Sequence, residues 1–259
     1  MAEWNAGVYH RVSDPQLGWG LPVLARLAPA GNERVLDVGC GTGRLTEHLL
    51  DRLPGGGVVA VDRSAAMLHT ARRHLSARHG HHVRFVHADA AALPFAGAAA
   101  AIFSTATFHW VLDHDRLFAS LFTALAPGGR LVAQCGGGPN LDRIHERCVV
   151  LMREPGFAPY FSRWTAPWEF ADAETTARRL HRAGFADIRT WLEPSPVVQP
   201  DAGAYREFVE HVICRPHLAC LPEPSARAQF LDRLTDAAAA DTPPFELDYW
   251  RLNIEARRR

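Results

Sequence analysis

Lysine is missing altogether: all 28 basic residues are arginine. A phosphate-binding P-loop uses a lysine to reach its nucleotide, and a pyridoxal phosphate enzyme uses one for its Schiff base, so both classes are excluded. The chain is also rich in Ala, Gly and Pro, and the absence reads as GC-rich coding bias rather than chemistry. Net charge is lacking as well, with 28 basic against 28 acidic residues. Such a balance offers no broad basic face to nucleic acid. The five cysteines (Cys40, Cys135, Cys148, Cys214, Cys220) are odd in number, scattered and without a C-x-x-C pair. That speaks against a disulfide framework and against a zinc site, so no metal is expected, and a reducing compartment is the default. No apolar run approaches the ~18 residues of a membrane span. Met1-Ala-Glu-Trp-Asn is not a signal peptide. Together these predict a cytoplasmic protein without a membrane partner.

What is present is organised around Val35-Leu-Asp-Val-Gly-Cys-Gly-Thr-Gly-Arg44. A short apolar β-run carrying one acid, Asp37, breaks into Gly39, Gly41 and Gly43. A helical pattern follows, with Leu45, Leu49, Leu50 and Leu53 on one face. Strand, glycine turn and helix N-terminus together present backbone N–H groups to a small ligand in a parallel α/β sheet. With 259 residues, the chain buries roughly three quarters of its unfolded surface.

In chain order, residues 1–30 place Trp4, Asn5, Tyr9, Gln16 and Trp19 before any strand, and Leu21 to Leu27 reads as a short helix. This segment is either an N-terminal helix packed on the sheet or a lid with Tyr9 and Gln16 turned inward. Val58 to Asp62 is a buried strand ending in an acid 19 residues beyond Gly43, the spacing of a carboxylate that accepts from ribose hydroxyls. Ser64 is a plausible N-cap for a helix whose apolar face is Met67, Leu68, Ala71 and Leu75. Met67 is either core or a surface for an adenine ring. Six histidines between His69 and His87 lack H-x-x-x-H spacing and an acid cluster, and read as a solvated face rather than a metal site.

Val83 to His87 is a third strand, with Asp89 just past its end. There Asp89 can accept from an exocyclic amine while the Ala90 N–H serves a ring nitrogen. Ala98 to Ser104 is a fourth strand, Asp113 to Leu125 a helix, and Arg130 to Gln134 a fifth strand. Pro127-Gly-Gly between them is turn chemistry. Leu141 to Met152 and Thr175 to Ala183 read as helices, Phe185 to Leu192 as a sixth strand. Ala204 to Ala238 is helical with breaks at Pro216 and Pro222, and Phe245 to Arg257 is a last strand. One sheet with two helical insertions is expected, not two domains.

A dinucleotide site would show G-x-G-x-x-G; here Arg44 occupies the place of the third small residue. Asp37 would repel a pyrophosphate but suits a cation. A cationic adenosine derivative with a ribose for Asp62 and an adenine for Asp89 points to S-adenosyl-L-methionine.

Asp37-Val-Gly-Cys-Gly-Thr-Gly43, Val61-Asp-Arg-Ser-Ala-Ala-Met-Leu68, His87-Ala-Asp-Ala90 and Leu125-Ala-Pro-Gly-Gly129 together resemble the class I S-adenosylmethionine-dependent methyltransferases. Within them the chain is most similar to the trans-aconitate methyltransferase and related small-molecule carboxyl methyltransferase group. Trp4-Asn5 with Tyr9, Phe108-His-Trp-Val-Leu-Asp-His114, Val132-Ala-Gln134 and Leu247-Asp-Tyr-Trp-Arg-Leu-Asn-Ile254 carry that likeness. The resemblance implies an α/β, Rossmann-like, seven-stranded, mostly parallel sheet with the last strand antiparallel and helices on both faces. It implies one domain over 1–259: a lid at 1–30, a cofactor core at 34–135, and helical cap insertions at 136–170 and 203–240. Cofactor contacts are expected at Tyr9, Asp37, Gly39, Cys40, Gly41, Asp62, Arg63, Met67, Asp89, Ala90 and Thr105. The sequence departs from the family at Gly97-Ala-Ala-Ala-Ala101, where Phe-Asp is common.

The reaction expected is displacement of the sulfonium methyl by a nucleophile held in line, where positioning is worth up to ~7–11 kcal/mol. A carboxylate (pKa ~4) is already ionised and needs no base, whereas a phenol or enolisable carbon needs one poised near neutrality. His109 and Trp110 follow the fourth strand and are the candidate substrate wall. For His109, a base or hydrogen-bond donor and a capped loop histidine both stay open. Trp110 is packing or a water shield, and Gln16 a neutral donor to a substrate carboxylate. His211, Arg215 and His217 read as exposed helix groups. Ser104-Thr-Ala-Thr107 stands where many amide and amine methyltransferases carry Asn/Asp-Pro-Pro-Tyr, which lowers nucleic-acid amino methylation. Methyl ester formation on a small organic molecule is the first expectation, by a monomer or homodimer. O- or C-methylation of an aromatic or polyketide-like metabolite with His109 as base is the second, and a non-catalytic cofactor-binding or partner subunit the third.

Overall fold

The computed structural model describes residues 14–259, with side chains from residue 17 onward. The readings placed on Trp4, Asn5 and Tyr9 fall outside the described residues, as does the one placed on the Gln16 side chain. The chain divides into two compact units. One takes the described part of Glu3–Gly138 together with Trp168–Glu193 and Arg251–Arg259; the other takes Pro139–Pro167 and Pro194–Trp250.

The first unit is built on seven strands: β1 (Arg34–Val38), β2 (Gly57–Asp62), β3 (Val83–His87), β4 (Ala99–Thr105), β5 (Leu125–Gly136), β6 (Ala186–Pro194) and β7 (Trp250–Arg257). Their order across the sheet is β3-β2-β1-β4-β5-β7-β6. Pairs among β1 to β5 are parallel, while β7 runs antiparallel to β5, with Gln134 opposite Asn253 and Gly136 opposite Arg251. This is the Rossmann-like arrangement expected.

Period-2 alternation decides what each face holds. Leu36, Ile102, Leu131, Ala133 and Ile254 pack with Leu117, Phe118 and Leu121 of α4 (His114–Ala124) and Leu180 of α6 (Ala173–Arg182). On the other face Val35, Phe103 and Val132 meet Val23, Leu24 and Leu27 of α1 (Asp14–Leu27). Leu49 and Leu50 of α2 (Arg44–Leu50) and Leu75 of α3 (Ala65–His79) join them. Each such side chain contributes roughly 1.5–3 kcal/mol by leaving water. The same alternation sends Asp37, two residues after Val35, to the α1–α2 side, and Arg251, Asn253 and Glu255 of β7 share a face two residues apart.

Pro127-Gly-Gly is not a separate turn but a bulge inside β5. Ala99 pairs with Leu125 and Ala101 already with Arg130; proline, having no N–H for the ladder, is accommodated where pairing slips. Three of the six histidines on and after α3 have local partners: His74 meets Glu47 at 3.0 Å, His82 Nδ1 the Gly56 carbonyl at 2.8 Å, and His87 Nε2 the Arg63 carbonyl at 2.8 Å.

The second unit holds α5 (Asp142–Met152), α7 (Ala202–Phe208), α8 (Arg215–Leu218), α9 (Pro224–Ala239) and a ribbon pairing Val197–Val198 with Glu246–Leu247. The last strand read from sequence is interrupted at Asp248, whose carbonyl and carboxylate accept from the Leu141 and Arg143 N–H groups at 3.1 and 3.1 Å. Asp248 thus serves the start of α5 rather than a ladder. The long helix read over 204–238 breaks earlier than its prolines: Val209–Ile213 forms a π-turn closed by Cys214 N–H on the Val209 carbonyl at 2.7 Å. His217, read as exposed, is 2% exposed and stacks on Trp164 at 4.5 Å between ring centroids. Phe157, Phe161 and Phe230 pack against one another beside it. Among the described residues no helix is long and apolar enough to cross a membrane.

Candidate active site

The glycine turn after β1 has no room for a side chain at its first position. Gly39 takes φ +79°, and a Cβ there would lie 2.0 Å from Thr107 Oγ1. Its N–H and that of Cys40 donate to the Val61 carbonyl at 2.7 and 3.0 Å, tying the turn to the tip of β2. Gly41 takes φ +55°, and among the described residues nothing lies within 4 Å of a Cβ position there. Gly41 N–H donates to Asp62 Oδ2 at 2.9 Å, and Ser64 N–H to Asp62 Oδ1 at 2.8 Å. Ser64 Oγ in turn accepts from Met67 N–H at 3.3 Å as the N-cap of α3.

Asp37, Gly39, Cys40, Gly41 and Thr105 line one recess with Arg44 and Ala106. Asp37 is 2% exposed and accepts from Thr46 Oγ1 at 2.6 Å. Burial, with the Asp62 charge nearby, raises its pKa to about 7 against the pull of Thr46. Burial likewise raises Asp62 despite its two backbone donors, and raises the Cys40 thiol, with both carboxylates adding to it. Asp89 stands exposed past β3, its Oδ1 accepting from Ala91 N–H at 2.9 Å, and Ala90 beside it is buried. Met67 is buried and Arg63 exposed. Three of the strand tips on this side therefore carry acids.

The β4–β5–β7 side is different in charge. His109 follows β4 in a short 3₁₀ turn and is buried, its ring 5.1 Å from that of Trp110 and 5.7 Å from that of Phe170. Gly136 N–H donates to His109 Nδ1 at 3.2 Å, which leaves the proton of the neutral ring on Nε2. Burial first, then the charges of Arg251 and His114, lower its pKa to about 3. Trp110 is half-buried, edge-on to Trp168 at 6.1 Å. Arg251 opposes Gly136 in β7, is 3% exposed, and lies over the Trp19 ring at 4.5 Å. On the same face Asn253 Oδ1 accepts from Gln134 Nε2 at 2.9 Å and from Arg26 Nη2 at 2.6 Å.

Sequence reasoning placed the turn and the acids and singled out His109 and Trp110, but passed over Arg251. The available signal was a charged residue inside Leu247 to Ile254 on a strand otherwise apolar in alternation. The residues present suit a cationic, ribose-bearing donor: a backbone without a side chain at Gly41, an oriented carboxylate at Asp62, and a buried acid at Asp37 that would oppose a pyrophosphate.

Comparisons with known proteins agree with that chemistry. A family model described as a methyltransferase domain matches residues 35–129. Trans-aconitate 2-methyltransferase of Paracidovorax citrulli is 35% identical over 277 residues, covering 100% of this chain and 99% of the relative. The protein of the same name from Variovorax paradoxus is 40% identical over 232 residues, covering 86% of this chain and 84% of the relative. Among solved structures, Haemonchus contortus phosphoethanolamine N-methyltransferase 2 in complex with S-adenosyl-L-methionine superposes with a TM-score of 0.63 at 19% identity. That match covers 98% of this chain and 56% of the other. A [4+2]-cyclase superposes at 0.59 and 22% identity, covering 93% and 80%. At these identities the superpositions speak to fold alone.

Proposed function

The chain belongs to the trans-aconitate 2-methyltransferase family of S-adenosylmethionine-dependent methyltransferases, and from that membership we propose that it methylates a carboxylate oxygen of a small organic acid bearing more than one carboxylate. The observation that carries this reading is the division of charge along the sheet edge, acids at the β1–β3 tips and a neutral histidine with a buried guanidinium at β4–β7. When bound, the donor supplies an electrophilic methyl on a cationic sulfur; the O–CH₃ bond forms as the S–CH₃ bond breaks, and the electron pair stays on sulfur. Asp62 holds the ribose hydroxyls while its own orientation is kept by Gly41 and Ser64. Asp37, with a pKa near 7, ionises more readily beside a cation, so its charge follows the charge of the sulfur. Asp89 and Ala90 would read the adenine edge, and Met67 at the first turn of α3 would offer an apolar surface to it. Cys40 and Thr105 would contribute to the same recess, and Arg63 stands next to Asp62 at the β2 tip. Arg251 pairs with a spectator carboxylate of the substrate, and His109 Nε2–H donates to another oxygen. No proton has to move, because the attacking carboxylate is already ionised.

Methylation of a phenol or carbon with His109 as base has less support. Its Nδ1 lone pair already accepts from Gly136 N–H, and a pKa near 3 makes it a weak base. The neutral charge balance and the missing Asn/Asp-Pro-Pro-Tyr loop favour a small molecule over nucleic acid, and a cytoplasmic setting suits both the donor and five unpaired thiols. The test is S-adenosylhomocysteine release across mono-, di- and tricarboxylic acids, phenols and quinols, with the product mass identified. A methyl ester from a multiply charged acid is the expected result. Turnover of phenols alone, or donor binding without turnover on any acid, would overturn it.

A further inference from the structure

The second unit contains a cluster that methyl transfer does not use. Cys148 on α5 and Cys214 at the start of α8 are both 0% exposed, their Sγ atoms 3.8 Å apart. His217, 2% exposed, brings a ring nitrogen to them, and the three donor atoms all lie within 4.8 Å of one another. A disulfide requires ~2.0 Å between sulfurs, so these thiols are not bridged. Two thiolates bound tetrahedrally to one zinc ion at ~2.3 Å stand about 3.8 Å apart, the length of a tetrahedron's edge. The observed separation matches that edge.

Sequence spacing supports the same grouping. His145-Glu-Arg-Cys148 and Cys214-Arg-Pro-His217 each place a histidine and a cysteine three residues apart, hence on one helix face. The His145 and His217 ring centroids are 6.4 Å apart, which puts His145 beside the fourth position. A search for C-x-x-C misses this pattern, because each half contributes one residue of each kind.

We infer that Cys148, Cys214 and His217 form a structural site for a zinc-class divalent ion, with His145 at the open position. The charges balance: two thiolates and a neutral imidazole around a divalent cation give zero formal charge, the condition for holding ions in an apolar interior. Soft thiolate and imidazole donors select zinc over magnesium or calcium. Bound there, the ion clamps α5 to α8 across a chain separation of 66 residues, and its binding energy adds to the stability of that unit.

The test uses the full chain, stripped with chelator and kept reduced, and titrated with cobalt(II). One equivalent should produce thiolate-to-cobalt charge-transfer absorption and the visible bands of a tetrahedral site, both bleached by zinc. Cys148→Ser and Cys214→Ser should each weaken uptake at least ~100-fold, beyond what outer-shell changes cost, while Cys220→Ser leaves it unchanged. Independently of any variant, zinc should slow alkylation of Cys148 and Cys214 in the wild-type chain by tenfold or more without protecting Cys220. Cobalt spectra without thiolate charge transfer, spectra unchanged by both cysteine variants, or equal alkylation with and without zinc would overturn the site. So would recovery of a Cys148–Cys214 disulfide from a chain that takes up no metal.

Discussion

The two halves of the sheet edge differ in charge as sharply as the two reactants proposed for it. Around β1–β3 the strand tips carry carboxylates, with Arg44 and Arg63 close to them, and two of the acids, Asp37 and Asp62, have raised pKa values because burial opposes their charge. Around β4–β7 the buried polar groups include Gln134, Asn253, a neutral His109 and the Arg251 guanidinium, which helps keep that histidine unprotonated, while the acids Glu193 and Glu255 there pair with Asn253 and Arg26. A buried acid gains when a cation arrives, and a buried cation gains when an anion arrives. A cationic methyl donor and an anionic acceptor would therefore each find their complement.

The largest effect expected is at Arg251. Arg251→Gln keeps hydrogen-bonding capacity but removes the charge, and loss of a buried ionic partner costs about 2–5 kcal/mol. kcat/KM on a multiply charged acid should fall ~30-fold or more through KM, with S-adenosylhomocysteine affinity by calorimetry within about twofold of wild type. Equal losses in both would erase the division between the halves. Next comes Asp62→Ala, which removes the acceptor of Gly41 and Ser64 N–H. Hydrogen bonds to charged groups are worth ~1.5–3 kcal/mol each, so donor affinity should drop about 100-fold whatever the acid substrate.

Asp37→Asn sharpens the comparison through pH. The folded pKa near 7 lies above the ordinary value of 3.8, so this group's stabilising contribution is full below the ordinary value and is lost as pH rises through 7. The Tm of the variant relative to wild type should therefore shift in the variant's favour by ~2–4 °C or more between pH 5 and pH 8. The cationic donor should also lose its advantage over the neutral product in binding. A pH-independent Tm difference would place the Asp37 charge elsewhere.

The smallest effect is expected at His109. With a folded pKa of about 3 against an ordinary 6.5, it stays neutral from pH 5 to 8, and its contribution to stability is full above 6.5 and lost as pH falls through 3. His109→Gln should lower kcat/KM ~10-fold or less and leave the pH profile between 5 and 8 unchanged. A general base would lose ~10²–10⁴-fold and take an acidic limb with it.

The acidic half was legible in the sequence because its determinants are local. Gly39, Gly41 and Gly43 follow a β-run directly, and Asp62 and Asp89 each stand at the end of a short apolar run. The other half was only partly legible. His109 could be placed after β4, but its protonation depends on Gly136 N–H, 27 residues away, and on Arg251 from the far end of the chain. Pro127-Gly-Gly read as a turn because its local chemistry is that of a turn; only the β4–β5 register makes it a bulge. His217 read as exposed because a short segment broken by proline has no periodicity from which burial can be inferred.

Periodicity, the glycine turn and the acids at strand ends are properties of ten-residue windows, and they located the strands of the first half of the sheet and pointed to the charge of the donor. Which histidine is a hydrogen donor, which arginine is buried, and which two of five thiols meet at 3.8 Å were decided by tertiary structure alone. Those are pairings between distant segments, and their energies come from desolvation and proximity that no local pattern encodes.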